Sequence, residues 1–165
     1  MTETRRKILF YGFGNPARED DAIGPLLADR VEKLGLADIT VDSDYQLTVE
    51  DAADVAAHDV VVFADASVEG DESFTFTRLQ PERQESFSSH SVSPQGVLGL
   101  ARDLFGAESE AWMLAVRGIS FAMFTETMTQ QAEDNLEKAF AFIVPMLESG
   151  TFGRAVCEQE LHTQG

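Results

Sequence analysis

"GFGNPAREDDAIGP", Gly12 to Pro25, sits between a short apolar run and an amphipathic stretch, and its reading decides the fold. The run before it, Ile8 to Phe13 (ILFYGF), is bounded by charge and glycine and reads as a buried strand. From Asp21 to Leu34 the apolar residues fall at Ile23, Leu26, Leu27, Val31 and Leu34, which is one face of a helix. Pro25 lies in its first turn, where a missing N–H is tolerated, and Gly35 is a stop. A glycine-rich turn from strand to helix ordinarily cradles phosphate. Glu19, Asp20 and Asp21 would repel one. The acids are therefore either a solvated helix start or the holders of something positive.

Outward from this turn the chain alternates. Ile39 to Val41 reads as a second strand, and "DSDYQLTVEDAADVAAH" as a loop and then a helix with Val49, Ala52, Ala53 and Ala56 on its apolar side. Asp59 to Ala64 (DVVVFA) is apolar on both faces, as a central parallel strand must be. Ser73 to Leu79 alternates, as an edge strand with one wet face does. "ERQESFSSHSVSPQG" is polar and loop-like. Ser93 then caps a helix with Pro94 at its first position, running through about Phe105. Trp112 to Val116 is another strand, and Thr129 to Leu147 a long amphipathic helix ending near Gly150. The remainder to Gly165 has no period and is expected to be a loose tail. Strands alternating with helices predict one three-layer α/β/α domain over residues 1–165. Its sheet is twisted and mostly parallel, with about five strands and an edge strand free to run antiparallel.

Composition narrows the function. A formal charge of −17 argues against nucleic acid, which needs clustered Lys and Arg. Arg5, Arg6 and Lys7 are the only tight basic group and read as a solvated end before the first strand. No apolar run approaches the roughly 20 residues that span a bilayer, and the start lacks the pattern of a signal peptide. A single cysteine, Cys157, allows no internal disulfide and no thiolate zinc site. A reduced, cytoplasmic setting is expected.

In parallel sheets, sites collect at the carboxyl ends of strands. Three loops qualify, and each carries acid: Glu19–Asp21, Asp42 with Asp44, and Asp65. Asp65, in "VVFADAS", is either a turn or cap aspartate or a carboxylate held rigidly at the sheet edge. Asp21 either serves the helix dipole or, with Asp20 as the cap, faces the cleft. Of the three histidines, His58 ends a helix and reads as surface, and His162 lies in the tail. His90 stands in "SSHSVSP" with no apolar pattern to make it a core residue. Two carboxylates and an imidazole suit a borderline divalent ion. Other hydrolase signatures are missing: there is no HExxH and no G-x-S-x-G, and Cys157 has no strand-end setting.

These segments resemble a known family. "GFGNPAREDDAIGP" is similar to the G-x-GN-x(4)-D-[DE]-x-x-G signature that opens the [NiFe] hydrogenase maturation proteases. "DSDYQLTVEDA" resembles their second loop, "FADAS" their D-A strand end, and "SSHSVSPQGVLGLA" the histidine segment before their third helix. "VRGISFAMFTETMTQQAEDNLEKA" is similar to that family's end, so the resemblance runs through about Leu147. Singly these motifs are weak, but here they come in the family's order. Glu19 and Ala22 depart from it, standing where glycine is frequent.

The resemblance implies an aspartate-based endopeptidase that removes a C-terminal extension from a [NiFe] hydrogenase large-subunit precursor after nickel insertion. It implies that Asp21, Asp65 and His90 are both the metal ligands and the catalytic residues. The nickel arrives held by the substrate, so the free enzyme is expected to bind divalent metal weakly. The alternatives are a peptidyl-tRNA hydrolase-like enzyme, suggested by "GFGNP", and a non-catalytic nickel-binding assembly chaperone. The first needs a histidine soon after the first strand and a basic surface, and the chain has neither.

Overall fold

Two short apolar stretches of the chain form adjacent strands at the middle of a sheet. In the computed structural model, which describes residues 5–83 and 92–153, β1 (Ile8–Phe13) and β3 (Val60–Ser67) pair in parallel. Five strands lie in the order β2-β1-β3-β5-β4. β2 (Ile39–Asp44) and β5 (Glu110–Arg117) are parallel to their neighbours, and β4 (Phe74–Leu79) runs antiparallel to β5 at one edge. The expected mostly parallel α/β sheet with an antiparallel edge strand is borne out.

Alternation along the strands sorts two cores. Ile8, Phe10, Val60, Val62, Ala64, Leu114 and Val116 face α1 (Ile23–Lys33) and α4 (Gln130–Ser149). Leu9, Tyr11, Val61, Phe63 and Ala111 face α2 (Asp51–Ala56) and α3 (Pro94–Phe105). Each fully buried Val, Leu or Phe contributes about 1.5–3 kcal/mol, so both layers hold the sheet. α3 begins as expected, with the Ser93 hydroxyl accepting from Gly96 N at 3.0 Å and Pro94 at its first position.

Several boundaries differ from the sequence reading. β2, β3 and β5 all run further toward their carboxyl ends, because each has a neighbour to ladder with. β2 is paired as far as Phe13 with Asp44, and β3 as far as Ser67 with Arg117. α1 starts at Ile23, and Glu19–Ala22 form a separate 3-10 turn. Its buried stripe is Ile23, Leu27, Ala28 and Val31, while Leu26 and Leu34 flank it and stay exposed. In α2 only Ala52 and Val55 are buried; Val49 and Ala53 face solvent. Phe152, assigned to the loose tail, packs against the core with its ring 6.5 Å from Phe76. His90, Cys157, His162 and the tail beyond Gly153 lie outside the described residues.

Candidate functional site

The first loop is shaped by backbone approaches that a side chain would block. A Cβ on Gly12 would lie 2.0 Å from the Gly24 carbonyl oxygen. A Cβ on Gly24 would lie 2.3 Å from the Phe13 oxygen and 2.7 Å from the Ala64 oxygen. The start of α1 thus rests directly on the ends of β1 and β3. Gly14, at φ +146°, turns the chain where a Cβ would meet the Asp21 carbonyl at 2.2 Å. Asn15 then holds the turn twice: its side-chain oxygen accepts from Ala17 N at 2.9 Å, and its own N–H donates to the Asp21 carboxylate at 2.8 Å.

Asp21 and Asp65 come together at the carboxyl edge of the sheet. The 3-10 turn that carries Asp21 lies against β3. Asp65 is inside β3, paired with Ala115 of β5, and not in a loop after it. The turn-aspartate alternative therefore has no turn to occupy. Its carboxylate accepts from Ala66 N at 2.8 Å. Burial pushes its pKa up to about 7; the Ala66 bond opposes the shift and the Asp21 charge adds to it. A carboxyl group that titrates near neutrality can act as a general base or as a ligand that gives up its proton when a cation arrives. His90 lies outside the described residues, so the third member of the expected set is not placed.

Asp20 has a different task from the helix cap the sequence suggested. Neither the 3-10 turn nor α1 has a side-chain cap. Asp20 is fully buried and binds the loop after β5 instead. Its carboxylate accepts from Ile119 N at 2.7 Å, Ser120 N at 2.9 Å, and Thr129 N and Oγ1 at 2.8 Å each. Burial alone would raise its pKa, but the bonds from Ser120, Thr129 and Ile119 outweigh that and hold it below the usual carboxylate value. Thr129 in turn caps α4 by accepting from Ala132 N at 3.2 Å. Because Asp20 is committed to this loop, its neighbour Asp21 is the acid of the turn whose charge acts on Asp65.

Glu19 explains one departure from the family signature. It has φ +50°, the left-handed region that glycine adopts most readily. Its carboxylate accepts a short hydrogen bond from the Ser120 hydroxyl and another from Ala122 N at 3.2 Å, which offset that backbone. The remaining histidine in the described chain, His58, precedes β3 at the opposite edge of the sheet. It is half-buried and bonded, with Nδ1 2.6 Å from the Asp54 oxygen and Nε2 3.0 Å from Thr40 Oγ1, so it is a fastening of α2 to β2 and not a free surface group.

Among the described residues, Asp42, Asp51 and Asp54 form another tight set of carboxylates. Asp51 already accepts from Tyr11 Oη at 3.2 Å and Thr48 N at 2.8 Å, and Asp42 from Ser43 N at 2.8 Å. Burial raises the pKa of both Asp51 and Tyr11, and the Tyr11 hydroxyl donates to the Asp51 carboxylate as a structural bond.

Comparison with solved structures gives the same architecture repeatedly. A [NiFe] hydrogenase maturation protease HycI from Thermococcus kodakarensis KOD1 is 25% identical, with a TM-score of 0.68 over 87% of this chain and 94% of that one. Hydrogenase maturating endopeptidase HybD from E. coli is 21% identical, with a TM-score of 0.62 over 87% and 93% of the two chains. A hydrogenase 2 maturation peptidase from Thaumarchaeota archaeon SCGC_AB-539-E09 is 18% identical, with a TM-score of 0.63 over 86% and 97%. No family model matches the chain, and a search of curated proteins returns no match. The likenesses define the class as a hydrolase acting on peptide bonds. The fold and the ordered motifs both resemble those of the [NiFe] hydrogenase maturation proteases.

Proposed function

We propose that this chain is the endopeptidase that removes the C-terminal extension of a [NiFe] hydrogenase large-subunit precursor once nickel is in place. The observation that carries this reading is the pairing of Asp21 with Asp65, the latter titrating near pH 7. Two carboxylates that repel each other are relieved by a cation between them. His90 is proposed as the third ligand, since an imidazole would turn the set toward nickel and away from magnesium. The nickel is part of the substrate, held there by cysteine thiolates. Its role is to bring the scissile peptide against the site, which replaces an encounter by a fixed geometry.

Within that geometry the chain's own groups have defined work. Asn15 N–H fixes the Asp21 carboxylate. The Asp65 carboxyl, raised by burial, is matched to taking a proton from water at neutral pH. A cation beside Asp65 would lower that pKa and raise the ionised fraction when the substrate is loaded. A cytoplasmic setting fits the reading, and no helix among the described residues is long and apolar enough to cross a membrane.

The test is conversion of purified, nickel-loaded precursor to mature large subunit, followed on a gel. Cleavage that requires nickel in the precursor is the expected result. Binding without cleavage would leave the assembly-chaperone alternative.

A further inference from the structure

The loop between β5 and α4 carries an unusual pairing of rigidity with apolar exposure. Ile119 is 44% exposed, Met123 54% and Phe124 89%. Phe124 also has φ +59°, a left-handed conformation rare for an aromatic residue. Loops that expose large apolar side chains in a strained backbone persist only where the surroundings over-determine them. The surroundings here do so. Thr125 N donates to Ala17 O at 3.0 Å, and Glu19 N donates to Thr125 O at 2.7 Å. Asp20 ties down both ends of the loop, at Ile119 and Ser120 and again at Thr129. The tip is thereby locked to the same 3-10 turn that presents Asp21.

We propose that Met123 and Phe124 form the docking anchor for the precursor, seated in an apolar cleft of the large subunit beside its scissile segment. This rests on the protease reading above. Three features favour that occupant. The anchor is continuous through hydrogen bonds with the candidate active-site turn, so whatever it holds is held in register with Asp21 and Asp65. A preformed aromatic tip loses little conformational freedom on binding, which is how a few residues come to dominate an interface. The whole chain has a net charge of −17, so a second copy of it is repelled and a partner of opposite charge is favoured. Leu104, 67% exposed on the last turn of α3, is comparably apolar and belongs to neither loop.

The experiment uses the full chain. Equilibrium binding of the nickel-loaded precursor is measured for wild type, Phe124→Ser and Leu104→Ser, with KM and kcat for processing alongside. Phe124→Ser should bind about tenfold or more weakly and raise KM while leaving kcat near wild type at saturating precursor. Leu104→Ser should match wild type. Equal binding by Phe124→Ser and wild type overturns the anchor. If wild type binds through Phe124 but does not cleave, the anchor stands and the protease reading falls; if wild type does not bind at all, both fall. Phe124→p-benzoylphenylalanine identifies the occupant by photo-crosslinking. A crosslink to the precursor supports the proposal, whereas one to a second copy of this chain, or to its own residues 154–165, overturns it.

Discussion

Gly12 and Gly24 meet backbone to backbone: a Cβ on Gly12 would lie 2.0 Å from the Gly24 carbonyl oxygen. This contact seats α1 on the sheet and so sets where the 3-10 turn, and Asp21 with it, must stand. The first prediction is that Gly24→Ala costs at least about 2 kcal/mol, since its methyl would meet backbone oxygens that have nowhere to go. Denaturant unfolding measures the loss. A fully stable Gly24→Ala protein would show that α1 can shift without penalty.

Asp20→Ala should be destabilising by about 2–4 kcal/mol, because three backbone N–H groups and the Thr129 hydroxyl lose one shared acceptor. The damage should centre on the loop of residues 118–128, which limited proteolysis would then cut faster. The acid response has a definite sign. The folded pKa of Asp20 is depressed, so its stabilisation is present above the ordinary carboxylate value and is lost as pH falls through the lower, folded one. Wild type should therefore lose its advantage over Asp20→Ala only at strongly acidic pH.

Asp20 also shows where a sequence stops being legible. Its neighbours in the chain suggest a helix cap, a local reading. Its actual partners lie 99 to 109 residues away, and no periodicity encodes that distance. The strands were legible because Ile8–Phe13 and Val60–Ala64 are apolar on both faces, and α3 because Ser93-Pro94 is a local start signal. Strand ends were under-read because ladder partners, such as Arg117 beside Ser67, extend them past the apolar run. Asp21 and Asp65 were legible as strand-end acids. The burial that perturbs Asp65 was not, since it depends on how the 3-10 turn and β5 close around it.

Asp65 supplies a second pH signature, of opposite sign to Asp20. Its folded pKa is raised to about 7, so the protonated form is favoured in the folded protein. The stability it contributes is present below the ordinary carboxylate value and is lost as pH rises from there through about 7. Asp65→Asn removes this titration. Across that window the variant should gain stability relative to wild type, read as a rising difference in Tm. A difference that stays flat with pH would mean that Asp65 is ionised throughout.

Metal binding by the free chain should be weak and ordered. If His90 completes the set, Ni²⁺, Zn²⁺ and Cd²⁺ should bind better than Mg²⁺, and His90→Ala should erase that preference. Calorimetric titration measures both. A tight, stoichiometric metal in the purified protein would contradict a nickel delivered by the substrate.

The sharpest test sets Asp65→Asn against His58→Ala. The amide keeps the shape of the carboxylate, but it is a far poorer ligand and cannot serve as a base. Processing should therefore fall on the order of 100-fold or more while folding survives. Since Asp65 lies within β3 and accepts from Ala66 N, Asn can keep that bond through its own oxygen, so lost activity cannot be charged to a lost fold. His58 is the opposite case. It is bonded to the Asp54 carbonyl and Thr40 at the far edge of the sheet, so His58→Ala should cost about 1 kcal/mol of stability and leave processing intact. Circular dichroism checks folding, and conversion of precursor to mature subunit checks function. A folded Asp65→Asn protein that matures its substrate at the wild-type rate removes Asp65 from the site. A folded His58→Ala protein that cannot mature it shows that the wrong histidine was chosen.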